Sequence, residues 1–350
     1  MSQTQRLSWI DVLKGIGILL VIAGHSVRGE DSAALGIIYD LIYAMHMPLF
    51  FSISGYLFGK SINKYKNQST GQYISKKATG YLKPFFMYAF LIYFMFQIAF
   101  FIPAIGKSLE QAGMEGYNIL TYICMMLLGE NPYAFHLWYL WVLFWVTVLC
   151  YLIYKIGDFV GINGYTLCLM ISGALWAWRM LAVYNTYMGL MLFLRYMIFF
   201  VIGIKLFDIT IQNRTFYVVC SLFSFAYFVW HILFKNISFG ILGNFVCNIL
   251  QLVSVLLLIH NFGQFSQKLS FSKILNYLGR NSLIIYLFHQ PIFCAFVGVV
   301  CINILKISPI VAFVISFVTG LAATTTVIEI AKRNQIVGRI LKVCFDIRVS

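Results

Sequence analysis

Apolar runs of about twenty residues, separated by short polar breaks, recur along the whole chain. A bilayer core needs about 20 apolar helical residues to be crossed, so each run reads as a membrane-spanning helix. Ten spans can be marked, over 9–27, 35–59, 81–103, 133–154, 163–182, 188–207, 215–234, 239–262, 282–305 and 308–331. A β-barrel does not fit, because its strands would alternate polar and apolar rather than stay apolar for about twenty residues. A shorter run, Tyr117 to Leu128, falls short of a crossing and is expected to be interfacial or re-entrant. The first run contains Asp11 and Lys14 and has no small-residue cleavage site after it, so it reads as a retained span. The pattern predicts an all-α, polytopic transmembrane helical bundle.

Composition agrees: 61% of residues are hydrophobic and 10% charged, more apolar surface than a soluble domain can hide. Charge then orients the spans. With ten crossings, 18 of the 25 Lys and Arg fall on one side, among them Arg6, Lys60, Lys64, Lys66, Lys76, Lys77, Lys83 and every cation from Lys332 to Arg348. The other side receives five, including Arg28 and Lys235, and Lys14 and Arg195 stay within spans. Positive-inside bias places both termini in the cytoplasm. The net charge of +14 is thus mostly topology and attraction to anionic lipid, not a nucleic-acid footprint. No Ser/Pro/Gly-rich linker divides residues 1–350, and no pair of Gly/Pro-broken spans matches between the halves, so one integral membrane domain is expected. The eight Cys show no CxxC pair or metal-type spacing, which gives no reason to expect a disulfide framework or a metal.

Ionisable side chains inside a bilayer are costly and usually mark function. Asp11 and Lys14, three apart on the first helix, lie within pairing reach, and His25 follows about 21 Å further along the axis. Asp40, about 7 Å into the antiparallel second helix, lies at a similar depth to His25. It could orient the imidazole as a general base, or both could simply face interfacial water. His46 stands beside Pro48 and reads equally as a partner for a freed backbone carbonyl and as a catalytic or substrate group. Lys76, Lys77 and Lys83 read first as positive-inside anchors and also suit the phosphates of a charged donor. His136 lies among Trp138, Tyr139 and Trp141, an interfacial belt that could also stack on a sugar. Arg195 is too deep to be casual and is expected to face the interior, where Asp11, Lys14, His46, His136, Arg195 and His289 could line a polar passage. Asn281 and Ser282 read as a helix cap and Pro291 as a kink, which leaves His289 between them as an interior polar group.

Arg6 with WIDVLKGIGILLVIAGH, then HMPLFFSISGYLF, LKPFF, HLWYL and LGRNSLIIYLFHQPI occur in an order and spacing that resembles the acyltransferase 3 family of bacterial membrane proteins, most closely its fucose 4-O-acetylase-like branch. The resemblance implies transfer of an acyl group, commonly acetyl from acetyl-CoA, to a sugar hydroxyl of a surface or lipid-linked glycan at the bacterial cytoplasmic membrane. It implies His25 as the catalytic histidine and Asp11 and Lys14 as part of the signature. Family members often carry Arg-x-x-Arg after the second span, where this chain has Lys76, Lys77, Gly80 and Lys83. The expected function is therefore a membrane O-acyltransferase. Its donor, acyl-CoA, would be held by Lys76, Lys77 and Lys83, and His25 would deprotonate the hydroxyl or first receive the acyl group. A glycan transporter or flippase without acyl chemistry and a receptor-like binding bundle are the rivals.

Overall fold

The computed structural model describes residues 7–27, 32–65, 68–111, 113–181, 187–210 and 212–347. Arg6, Arg28, Lys66 and Arg348, which enter the charge count, lie outside the described residues. Everything regular in them is helical. The order is α1 (Ser8–Ser26), α2 (Ala33–Ser61), α3 (Thr70–Phe101), α4 (Pro103–Gln111), α5 (Ile119–Leu127), α6 (Trp138–Val160) and α7 (Gly164–Leu181). There follow α8 (Met188–Leu206), α9 (Arg214–Leu233), α10 (Gly240–Lys268), α11 (Lys273–Arg280), α12 (Ser282–Ile304), α13 (Pro309–Arg333) and α14 (Gln335–Phe345).

Among the described residues, nine of these helices are long and apolar enough to cross a membrane. The expected fifth span exists as α7, 18 residues long, but Trp176, Trp178 and Arg179 dilute its apolar character. It turns back along α6 through Gly161, whose φ of 73° is the left-handed conformation glycine adopts without a Cβ penalty. Cys168 Sγ, four residues into α7, lies 3.8 Å from the Cys150 carbonyl of α6, as antiparallel neighbours require. At about 27 Å, α7 comes close to the roughly 30 Å thickness of a bilayer core. The short run near Tyr117 becomes α5, a nine-residue helix that cannot cross, anchored to α3 where Tyr122 donates to the Ala89 carbonyl (3.0 Å).

The centre of the bundle is α1, packed on all sides by α2, α10, α11, α12 and α13. Glycines allow the closest crossings. A Cβ on Gly279 would collide with the Asp11 carbonyl, so α11 lies directly on the base of α1. Pro48 does not break α2, whereas α12 is interrupted at Gln290 (φ −119°, ψ 154°) immediately before Pro291. The residue before a proline is pushed to extended geometry, so the expected kink falls one position upstream. The expected Asn281 cap is not made. Its side chain turns back to donate to the Tyr277 carbonyl (2.9 Å), one helical turn earlier.

Candidate active site

Histidines from three distant segments meet in one place. His25 is the penultimate residue of α1, His136 sits in the single 3-10 turn Phe135–Leu137 that precedes α6, and His289 ends the regular turns of α12. The ring centroids lie 5.0 Å apart for His25 and His289, 5.3 Å for His136 and His289, and 6.4 Å for His25 and His136. His46 joins from α2 through Tyr43, whose ring is 4.9 Å from His46 and 6.0 Å from His25. The absence of a side chain at Gly24 lets Ile42 and Tyr43 approach this end of α1. His46, His136 and His289 are buried and His25 is partly open.

Backbone carbonyls decide where the protons sit. A carbonyl can only accept, so a ring nitrogen bonded to one must carry hydrogen. His289 Nδ1 donates to the Tyr286 and Ile285 carbonyls (2.8 and 3.0 Å), and His46 Nδ1 to Ile42 (2.7 Å). His136 Nε2 donates to Leu287 (3.3 Å). In the neutral rings the opposite nitrogens are therefore bases, and His289 Nε2 is buried with no hydrogen-bond partner. His25 Nδ1 faces the Tyr43 hydroxyl at 3.4 Å. The frame is tied by Tyr88 donating to the Gln290 carbonyl (2.5 Å), Gln290 Nε2 donating to the His25 carbonyl (3.3 Å) and Tyr286 donating to the His136 carbonyl. Thus the groups exposed by the α12 break are reused to hold α1, α3 and the α6 turn together. Among the described residues, no three His, Cys, Asp or Glu side chains are placed to hold a metal ion.

A cavity of about 210 Å³ lies beside this cluster. It begins at Lys14 of α1, Gly80 and Tyr81 of α3 and Ser282 of α12, and ends against Met47, Tyr139 and Tyr286. Tyr286 in turn lies 5.5 Å from His136, ring to ring. The walls are mostly apolar, with Lys14, Ser54 and Ser282 as polar points. One turn of α3 before Tyr81, Lys77 stands among Tyr65, Tyr73 and Tyr81, with its ammonium 5.4 to 5.9 Å from their rings. Lys76 lies over Tyr65 at 4.9 Å. Lys83, seven residues on, shares the face of Lys76 two turns along and is half-buried.

Three expectations change. Asp40 does not orient His25: its carboxylate pairs with Lys235 from the α9–α10 turn at 2.6 Å, and the hydroxyl of Tyr43, one turn along α2, faces His25 instead. Depth was matched but direction was not, because residues three apart on a helix point to different sides by about 60°. Asp11 is not a wall of the cavity. It is buried where α11 crosses α1 and meets Arg280 at 3.6 Å. Arg195 lines a separate cleft with Ala44 and Pro48, on the side of α2 away from the cavity. Sequence reasoning does not single out Tyr43, Tyr88, Tyr286 or Gln290, although a Gln between His289 and Pro291 in an apolar run was a usable signal.

Residues 7–329 match the model of the acyltransferase domain family. The chain belongs to that family. It is a multi-pass membrane protein with an acyltransferase domain. Two curated relatives are similar over short stretches. Nodulation protein NolL of Mesorhizobium japonicum is 38% identical over 88 residues, 24% of this chain and 23% of that protein. Nodulation protein NolL of Sinorhizobium fredii is 46% identical over 52 residues, 13% and 14% of the two chains. The chain thus aligns with less than a quarter of either relative's length, and no solved structure matches it.

Proposed function

We propose that this acyltransferase moves an acetyl group from acetyl-CoA to a sugar hydroxyl of a surface or lipid-linked glycan at the bacterial cytoplasmic membrane. The observation that carries the reading is the convergence of His25, His136 and His289 next to a mostly apolar cavity that starts near Lys14 and Lys77. Both termini are cytoplasmic in this reading, supported by 18 cations against five and by α7 as a tenth traverse. Lys76, Lys77 and Lys83 hold the donor phosphates at the cytoplasmic mouth. The pantetheine arm extends along the cavity past Lys14, which brings the thioester toward the histidines.

His25 then takes the proton of the acceptor hydroxyl as its oxygen attacks the thioester carbonyl. The new C–O bond forms, the C–S bond breaks, and the thiolate that leaves receives the proton held on His25. Tyr43 sets the ring of His25, and His289 Nε2 offers a second acceptor for a hydroxyl in the site. The test is mass spectrometry of the glycans of cells with the protein, without it, and with His25→Ala. One acetyl mass should appear only with the wild type. Acetylation by His25→Ala at the wild-type level would defeat the assignment, and glycan movement without any dependence on acyl-CoA would favour a transporter.

A further inference from the structure

Two arginines on the spanning helices α7 and α8, Arg179 half-buried and Arg195 exposed, lack an acidic partner among the described residues. Arg195 lies about 10 Å along α8 from its start, and Arg179 stands near the adjoining end of α7. Arg179 Nη1 approaches only the Met180 sulfur (3.8 Å), and its Nε is buried with no hydrogen-bond partner. Arg195 lies over the Tyr196 ring at 5.4 Å. Trp176 and Met180, three residues before and one after Arg179 on α7, line the same cleft as Arg195, so the two arginines stand at neighbouring walls of one cleft.

Arg195 borders a cleft of about 80 Å³ with Pro48, Trp176, Asn248 and Gln251, and Gln251 Oε1 is also buried and unpartnered. Pro48 has no N–H to donate to the Ala44 carbonyl, so this wall of the cleft lacks one regular helical bond. Asn248 is shared with a cavity of about 270 Å³ at the α9–α10 turn, where Trp230, His231, Asn236 and Asn244 form the walls.

We propose that Arg179 and Arg195 bind the phosphate of a membrane-embedded phosphate ester, of the kind a lipid-linked sugar or an anionic phospholipid carries. An anion between two guanidinium groups removes their repulsion and supplies paired acceptors for planar donors, including the orphaned Nε. The unpartnered acceptor of Gln251, and the amide- and aromatic-lined cavity beyond Asn248, suit hydroxyls on the same ligand. That favours a glycosyl phosphate over a bare phosphate. Assigning this ligand as the acyl acceptor rests on the proposed acetyl transfer; the binding itself does not.

The experiment uses the purified full-length protein in neutral detergent, with thermal unfolding and native mass spectrometry as readouts. Polyprenyl phosphate, phosphatidylglycerol and phosphatidylcholine are the probes. Polyprenyl phosphate should raise the unfolding temperature of the wild type, phosphatidylcholine should not, and Arg179→Gln and Arg195→Gln should each lose the shift. Arg195→Lys, which keeps the charge, should retain part of the bound lipid even where a Gln variant fails to fold. An effect confined to polyprenyl phosphate identifies a lipid-linked ligand, and an equal effect of phosphatidylglycerol identifies the lipid headgroup. No shift with either phosphate lipid, or the same shift in both Gln variants, overturns the proposal. His25→Ala should bind as the wild type does, so loss of acyl transfer with binding intact separates the two readings.

Discussion

Tyr43 and Asp40 make opposite predictions about who orients His25. The Tyr43 hydroxyl is 3.4 Å from His25 Nδ1, at the long end of a neutral hydrogen bond. Such a bond contributes about 1 kcal/mol, so Tyr43→Phe should lower kcat about fivefold with the donor KM unchanged. Asp40 pairs with Lys235, and the two side chains are 29% and 50% exposed. A pair that open is worth about 0–1 kcal/mol, and it acts on the α2 to α9–α10 contact rather than on the ring. Asp40→Asn should therefore leave kcat within about twofold of wild type. The assay is transfer of radiolabelled acetyl to isolated glycan by reconstituted protein, with kcat and both KM values measured for each variant. A loss of tenfold or more in Asp40→Asn alongside a normal Tyr43→Phe would show that the carboxylate, not the phenol, orients His25 during turnover.

Filling the cavity with Leu143→Trp should raise the donor KM or abolish transfer while the protein remains folded, since Leu143 lines that space; an unchanged donor KM would place the thioester elsewhere. Neutralising Lys76 and Lys77 together should raise the KM for acetyl-CoA more than that for acceptor, by several-fold for partly exposed contacts of about 0.5–1 kcal/mol each, and less so at high salt. Gly279→Ala should cut abundance and lower the unfolding temperature, because its Cβ would meet the Asp11 carbonyl and overpacking of this kind costs about 1–3 kcal/mol; normal thermal stability would contradict the tight α1–α11 crossing.

Much of the architecture was legible because it follows from hydrophobic length. Apolar runs fix the helices, and the length of Tyr117 to Leu128 separates α5 from the crossings. The site was legible for a related reason: His25, His46, His136 and His289 are conspicuous in apolar surroundings, and three of them meet in one place with His46 joined through Tyr43. Direction around each helix was not legible. One sequence gives the axial position of Asp40 or Arg195, but which neighbour each meets depends on how α2 and α8 rotate when they pack. The same limit hid Tyr43 and Tyr286, since tyrosines are common in this chain and only packing shows which hydroxyls reach a histidine's surroundings. Asp11 carried the family signature and belongs to a helix crossing, a role set by Gly279, far along the chain.

The most direct test places acetyl-CoA labelled in its acetyl group on the cytoplasmic face alone of sealed vesicles and glycan acceptor on the opposite face. Wild-type protein should move label to the acceptor, and His25→Ala should move none while retaining its fold and the binding of donor. His289→Ala, with its fold intact, should transfer more slowly than wild type. Full transfer by His25→Ala, or none by wild type while glycan still crosses the membrane, would contradict acyl transfer at the histidine cluster.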